Sequence, residues 1–488
     1  MLLEALLASA ERDSRSNIVS DPSVELTYPD LVRMAAGLRG VVEQATRCDR
    51  VGLMMPSCVG FTASYFGVLW AGRVVVPLNF LLQPAEIAGV IRDAGIDTVF
   101  SVKFFENALS SLPLKVIYLE DLPLKGGAAP SPGNLPPAPR HAPDDIATIL
   151  YTSGTSGAPK GVCLTHRNLR SNTDACIAYA RLEQGHRFLG ILPLFHSFGL
   201  TAMLHAPITA GASVHYLPRF SPASLVQTVR ERRSSVLMAI ASMYTAMARL
   251  KSGGRDDFAS MIYPISGGEA LPEQTAQVFA ERFGVRALQG YGMTETSPVV
   301  SLNVPWADRF GSVGKPIPDV SVTAHDDNGS PLPPDGVGEL WVRGPCVMKG
   351  YYNKPKETAD MITAEGWLKT GDMGRVDGDG FVWITGRKKE MIIVGGENVY
   401  PREIESVLTE HPAVADAAVI GQSDPTRGET IVAFVTCKEG VETTEVALRE
   451  FCRDKLAGYK VPRRVIIRAD LPRGATGKIL KRKLHELL

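Results

Sequence analysis

The chain has 488 residues, too many for one core and enough for several subdomains. Its hydrophobic share of 45% and charged share of 21% are those of an ordinary globular protein, and 52 Lys+Arg against 52 Asp+Glu leave no net charge that would point to nucleic acid or to an anionic membrane surface. The seven cysteines (48, 58, 163, 176, 346, 437 and 452) are odd in number, scattered and without a C-x-x-C pair, so they indicate neither a disulfide framework nor a zinc site and fit a reducing, cytoplasmic setting.

In chain order, Leu2, Leu3, Leu6 and Leu7 fit one face of a helix, and Glu4 with no basic segment before it argues against a signal peptide. Residues 51–72 and 188–218 contain no Asp, Glu, Lys or Arg and are long enough to span a bilayer. Pro56 and Ser57 split the first into a strand and a helix; Pro193, Pro207 and Pro218 split the second, so both are read as buried core and no transmembrane segment is expected. Up to residue 120, apolar runs at 51–55, 74–77 and 98–102 alternate with helical patterns such as 84–94, which predicts α/β units. Seven prolines within 123–143 predict an exposed connector.

The run 151–162, YTSGTSGAPKGV, comes next and packs three glycines, two serines, two threonines and a lysine behind an apolar strand pattern. Backbone N–H groups and hydroxyls of Thr152, Ser153, Gly154, Thr155, Ser156 and Gly157, with the charge of Lys160, suit close approach to a polyphosphate; an ordinary polar surface loop is the plainer alternative. Pro159 before Lys160 and Gly161 after it depart from the G-x-x-x-x-G-K-[ST] pattern, which disfavours a P-loop ATPase. A strand over 161–166 and a helix over 167–182 follow.

Residues 186–310 read as a second α/β block, with a helix over 221–233 and a strand over 235–241. Its segment Pro193-Leu194-Phe195-His196-Ser197-Phe198-Gly199 sets one histidine in an uncharged run, a core residue or a pocket residue, and 236–248 is uncharged and expected to line an apolar pocket. Ser266-Gly267-Gly268-Glu269 closes an apolar run as a strand-to-helix turn. In Tyr291-Gly292-Met293-Thr294-Glu295-Thr296, glycine leaves the tyrosine ring face open for a base, Thr294 can meet a phosphate, and Glu295 offers the hard oxygen that Mg²⁺ prefers. From about 311, short alternating strands at 320–324, 339–343 and 381–385 between Asp/Asn/Gly turns predict a small β subdomain, which also carries Thr370-Gly371-Asp372. After Gly386-Arg387-Lys388-Lys389 an α+β unit of about 100 residues is expected, with a helix opening at Pro401. Near its end, eleven Lys/Arg against two Asp over 453–483 give a basic surface around Lys478.

Taken together and in this order, the six motifs resemble those of the AMP-forming adenylating enzymes: acyl-CoA synthetases, luciferases and the adenylation domains of nonribosomal peptide synthetases. The resemblance runs from the strand near Val51 to Lys481. It implies an α/β fold with a large N-terminal domain (1–388), made of two α/β subdomains and a small β-barrel-like subdomain, and a small mobile α+β C-terminal domain (389–488) hinged near Lys389. It implies that MgATP and a carboxylic acid give acyl-AMP and pyrophosphate, and that CoA then takes the acyl group. It places Gly267, Gly268 and Glu269 beside the adenine, and Tyr291, Gly292 and Thr294 in the nucleotide site with Glu295 as metal ligand. It gives Asp372 the ribose hydroxyls, Arg387 the same nucleotide, and His196 a position near the acyl carboxylate. Lys160 and Lys478 become the phosphate-neutralising lysines, and Gly395-Gly396 the thiol channel. Amino-acid-activating relatives carry an Asp near the His196 segment; its absence here, with the uncharged runs, favours a medium- or long-chain fatty acid. An aryl acid, a carrier-protein acceptor, a luciferase-type oxygenase and a non-catalytic nucleotide-binding protein are the alternatives.

Overall fold

In the computed structural model the chain is described except for residues 13–16, 124–134, 154–158, 395–396, 425–427 and 474–478. Helix Leu2–Arg12 buries Leu2, Leu3 and Leu6, as its leucine spacing predicts. The two long uncharged stretches resolve as expected: Arg50–Met54 is a strand and Val59–Trp70 a helix, and among the described residues no helix is long and apolar enough to cross a membrane.

Two large sheets carry the N-terminal part. The first has strands Arg50–Met54, Val74–Pro77, Thr98–Ser101 and Lys115–Tyr118 in parallel, extended by the hairpin Ile146–Ser153/Pro159–Thr165 and by Gly350–Tyr351. The second sets Arg187–Gly190, Ser213–Tyr216, Val236–Ala239, Tyr263–Ser266 and Leu288–Gly292 in parallel. Every residue of Val236–Ala239 and Tyr263–Ser266 is buried, which is why these strands read as unbroken apolar runs. The block boundaries read from sequence are crossed: Ile18–Ser20, far upstream, pairs with Ser213–Tyr216 in the second sheet, and Gly350–Tyr351 joins the first.

The small β subdomain is a four-stranded antiparallel sheet in the order Ser321–His325, Gly338–Arg343, Leu368–Val376, Val382–Arg387. Beyond it, Val414–Asp424, Gly428–Cys437 and Arg464–Arg468 with helices Pro401–Glu410 and Glu445–Lys455 build a smaller C-terminal α+β part around its own core of Ile404, Leu408, Val419, Val435 and Leu448. The connector differs from its reading as merely exposed. Its described end is anchored, because the buried Trp70 donates from Nε1 to the carbonyls of Pro136 and Pro137, both at 3.3 Å.

Candidate active site

In open parallel sheets, ligands gather beyond the carboxyl ends of the strands. Four of the predicted site segments lie at those ends: His196 after Arg187–Gly190, Ser242 after Val236–Ala239, Gly267 after Tyr263–Ser266, and Tyr291 within the last turn of Leu288–Gly292. A surface cleft of about 700 Å³ lined by Arg12, Arg170, Asp174 and Gln184 contains none of them, and it borders Gly185 at the opposite, amino end of the Arg187–Gly190 strand.

The described ends of the phosphate run are paired in the hairpin, with Thr152 opposite Lys160 and Ser153 opposite Pro159. Gly154, Thr155, Ser156 and Gly157 lie outside the described residues, as does the side chain of Ser153. Lys160 Nζ sits 5.3 Å from the centre of the Tyr351 ring, and Tyr351 Oη donates to Glu295 Oε1 at 2.8 Å. Burial and the Glu295 charge push the Tyr351 hydroxyl well above its ordinary value, so it remains a donor. Tyr351 thereby joins the lysine and the acid singled out separately from sequence. It reaches them because Gly350–Tyr351 pairs with Cys163 and Val162 of the hairpin, and no local pattern in the sequence announces that pairing.

The second cluster is denser. Asp372 is 3% exposed and stands opposite Arg387 across an antiparallel pair. Its Oδ2 accepts from Tyr291 Oη at 2.6 Å and its Oδ1 from Arg387 Nε at 2.7 Å. Its own N–H donates to Thr370 Oγ1 at 3.0 Å, and that hydroxyl donates to the Leu340 carbonyl at 2.6 Å. Burial and the Asp372 charge hold the Tyr291 hydroxyl protonated far above its usual range. Tyr291 and Arg387, one on each oxygen, fix the plane of the Asp372 carboxylate. Thr370, 2% exposed, is spent on orienting Asp372.

Three sequence readings gain a different local meaning. Gly292 is required by packing, because a Cβ there would lie 2.1 Å from the Pro298 carbonyl oxygen. Thr294 is buried and shares a 3.0 Å hydrogen bond with Ser197 Oγ, which ties the Glu295 turn to the His196 segment. Glu269 Oε1 accepts from the Ser242 N–H at 2.9 Å, in the first turn of helix Ala241–Ala248, where a carboxylate also complements the helix dipole.

His196 heads a helical stretch that runs through a π turn, Leu200–His205, to Ala210. Pro207 has no N–H to give the Met203 carbonyl. The buried Tyr216 hydroxyl supplies the missing donor at 3.0 Å, so the irregular stretch leaves no orphan there. His196 Nδ1 accepts from the Phe198 N–H at 3.2 Å, which leaves the proton of the neutral ring on Nε2. Its side chain has accessible surface while the surrounding protein lowers its pKa by desolvation, as for a group facing into a recess. Phe198 lies against Gly267, where a Cβ would come within 3.0 Å of the ring, and Ile240 is next to Gly268. Val236–Ala239 itself is core; the partly buried Ile240 and Met243 beyond it are the part that can face a ligand.

Beneath the hairpin lies a buried polar chain. Thr148 and Tyr65 share a 2.8 Å hydrogen bond, and Tyr65 Oη meets His205 Nε2 at 3.1 Å. His166, at the first position of helix His166–Ala180, is fully buried and packs on the His141 ring at 4.3 Å. Burial takes both His166 and His205 down to about 3.

Among the described residues no three His, Cys, Asp or Glu side chains gather as a metal cage. Glu295, half-buried with one oxygen taken by Tyr351, fits Mg²⁺, which keeps waters and takes one or two carboxylates plus phosphate oxygens. Gly395, Gly396 and Lys478 lie outside the described residues.

Two family models match the chain, described as AMP-binding enzyme over residues 7–352 and AMP-binding enzyme C-terminal domain over residues 403–478. A long-chain-fatty-acid–CoA ligase of Bacillus subtilis is 35% identical across 99% of this chain and 94% of its own length. A sulfoacetate–CoA ligase of Cupriavidus necator is 36% identical across 89% and 86%. Among solved structures, an anthranilate CoA ligase in complex with anthranoyl-AMP superposes with a TM-score of 0.91 at 28% identity, covering 100% of this chain and 96% of that one.

Proposed function

This chain belongs to the AMP-binding enzyme family and is an acid–thiol ligase that works through an acyl adenylate, and from that premise we propose its substrate and the residues that run the reaction. The substrate is a carboxylic acid with an uncharged tail, medium- or long-chain fatty acids ahead of aryl acids, and CoA is the acceptor. The observation that carries this is the uncharged character of the described residues around His196 and Ser242: Phe198 lies against Gly267, Ile240 is next to Gly268, and neither 188–218 nor 236–248 contains an Asp, Glu, Lys or Arg to pair with a second carboxylate or an ammonium. An unpaired charge there would cost several kcal/mol. Glu269 is the nearest acid in sequence, and it is engaged with the Ser242 N–H.

In the first half-reaction the acid's carboxylate attacks the α-phosphate of ATP and pyrophosphate leaves; in the second the thiol of CoA takes the acyl group and AMP leaves. Asp372, held flat by Tyr291 and Arg387, accepts from the ribose hydroxyls, and the outer face of Arg387, about half exposed, meets the α-phosphate. Lys160 and the hairpin tip hold the departing phosphates, and Lys478 neutralises charge that develops during adenylation. Preorganised charges of this kind supply the largest share of such rate enhancements. Glu295 would hold Mg²⁺, which would draw electron density from the phosphate oxygens. The neutral Nε2–H of His196 is placed to donate to the acid's carboxylate. The large domain ends at 388, the small one turns on Lys389 between the half-reactions, and Gly395-Gly396 come to the thiol path. The protein works in the cytoplasm.

A panel of fatty, aryl, dicarboxylic and amino acids tests this reading, scored by acid-dependent pyrophosphate release and then by CoA-dependent AMP formation. Octanoate to palmitate should lead. Preferred use of a dicarboxylate, a sulfonated acid or an amino acid would overturn the substrate assignment.

A further inference from the structure

Two ion-paired lysines flank Lys389, and each pair lies wholly on its own side of it. Upstream, Lys388 Nζ is 3.1 Å from Glu339 Oε2 and 3.1 Å from Asp327 Oδ1. Glu339 is largely buried and its other oxygen accepts from the Gly371 N–H at 3.1 Å, the residue before Asp372. Downstream, Lys481 Nζ is 2.8 Å from Glu390 Oε2 and 2.8 Å from Glu405 Oε1. Glu405 in turn accepts from the Val419 N–H at 2.8 Å, in the edge strand Val414–Asp424 of the small sheet. Burial alone would lower the Lys481 ammonium, yet the two carboxylates raise it, so it stays charged.

The described residues on either side of 474–478 are paired with each other just before Lys481. Leu480 N–H donates to the Pro472 carbonyl at 2.8 Å, Arg473 and Ile479 form an antiparallel bridge, and Arg473 pairs with Asp416 at 2.9 Å. The stem of 474–478 is therefore fastened to the small sheet, and through Lys481 to Glu390, the residue directly after Lys389.

These pairs differ from the other contacts between the two parts. Arg402 donates to the Ile384 carbonyl at 3.2 Å and Tyr400 lies against Gly386, and both contacts cross from one part to the other, so a rotation must break them. Lys388–Glu339 and Glu390–Lys481 cross nothing and survive any rotation at Lys389. Lys388–Asp327 is accessible enough to contribute little to stability, whereas Glu339, Glu405 and Lys481 are partly buried. What the pairs do is geometric. With both neighbours bolted, rotation is left to the two soft dihedrals of a single residue. Without a bolt it spreads over several residues, and the angular slack grows into a displacement at the far end of the lever.

We propose that Lys388 and Lys481 are positioning residues: their pairs with Glu339 and Glu390 confine the domain rotation to Lys389 and set where the Lys478 segment arrives for adenylation. The inference rests on the two-step reading above. A misplacement of about 1 Å at a reacting group can cost on the order of 10²-fold.

The test uses the full-length enzyme, a good acid from the panel and the two half-reactions measured separately in single turnovers. Glu390→Gln and Lys481→Met should slow pyrophosphate release by roughly 10- to 100-fold, while thioester formation from synthetic acyl-AMP and CoA stays within about twofold. Lys481→Arg, which keeps both ion pairs, should recover most of the loss. Lys388→Met should slow both half-reactions, because it loosens the other side of the pivot. Thermal midpoints should stay within about 2 °C, since a merely structural lysine would move them and lower both half-reactions alike. Equal loss in both half-reactions for Lys481→Met, no loss in either, or no recovery with arginine overturns the inference while the wild type remains active. A wild-type chain that releases no pyrophosphate with any acid overturns the reading beneath it instead.

Discussion

The Asp372 cluster and the His196 segment, proposed above as nucleotide corner and acyl recess, are built in opposite ways. Around Asp372 every polar atom described has a fixed partner: Tyr291, Arg387, Thr370 and Leu340 form a chain with distances of 2.6 to 3.0 Å. In the His196 segment the described contacts are apolar, Phe198 against Gly267 and Ile240 against Gly268, and the polar links are the Phe198 N–H to the imidazole and the Ser197–Thr294 bond. A hydrogen-bonded corner is specific because an unmade bond to a buried group is costly. An apolar wall discriminates weakly, by about 1–3 kcal/mol per methylene. That contrast fits a scaffold whose relatives and structural neighbours are named for acids as different as a fatty acid, sulfoacetate and anthranilate.

The contrast is broken hardest on the phosphate side. Lys478→Ala should slow acyl-AMP formation by roughly 10²–10³-fold and leave thioester formation from pre-made acyl-AMP near wild type. Glu295→Gln should bind ATP and lose Mg²⁺-dependent pyrophosphate release to a similar extent, because an amide is a poor ligand for a hard cation and the Tyr351 bond cannot replace a charge. Wild-type turnover of Glu295→Gln at ordinary Mg²⁺ would sink that role. Next in size, Asp372→Asn removes a charged acceptor from two donors and should raise the KM for ATP by about 10- to 100-fold, with the ranking of acids unchanged. A change in that ranking would mean that the two regions are not separable.

Much of this was legible in the sequence where the physics is local. Val74–Pro77, Pro84–Ala94 and Pro401–Glu410 fall where an apolar run, helical spacing and a proline at the first turn put them. Asp372 and Arg387 were picked out by motif, and the structure sets them opposite each other. What was not legible depends on pairing over long separations. Nothing around Ile18–Ser20 says that it will join a strand almost 200 residues on, and nothing around Tyr351 says that it will bridge Lys160 and Glu295. The π turn at Leu200–His205 was hidden too, since its compensation by Tyr216 is a tertiary contact.

The floor under the phosphate hairpin gives a prediction of about tenfold per histidine and pH unit. His166 and His205 are held neutral, down to about 3, by burial first; His166 also faces His141, the amino terminus and Asp145, and His205 faces His166. Unfolded, each would titrate near 6.5, so below that pH the unfolded state binds more protons. Stability is thus fully present above about 6.5 and falls as pH drops toward 3, by about 1.4 kcal/mol per histidine per pH unit. Urea midpoints at pH 7.5, 6.5 and 5.5 measure this, and His205→Gln should flatten the slope. A midpoint that does not move between 6.5 and 5.5 would show that the two rings are charged in the fold.

The smallest expected effect sharpens the comparison most, because it asks whether the one ionisable ring in the acyl recess acts on the acid alone. His196 is kept neutral by desolvation and its Nδ1 is occupied by the Phe198 N–H, so it has a single proton to offer, on Nε2. A neutral hydrogen bond is worth about 0.5–1.5 kcal/mol net, so His196→Ala should raise the KM for the acid by roughly 3- to 10-fold. The KM for ATP should not change, since the described partners of Asp372 are Tyr291, Arg387 and Thr370. His196→Gln, which keeps a donor of similar reach, should recover part of the loss. Because the ring's pKa lies below its ordinary value, the acid KM should also stay flat from pH 8 to 6.5, with no inflection at the usual histidine midpoint. An equal rise in both KM values would place His196 in the nucleotide corner, and no rise in either would make it a wall residue of the recess, placed there by packing.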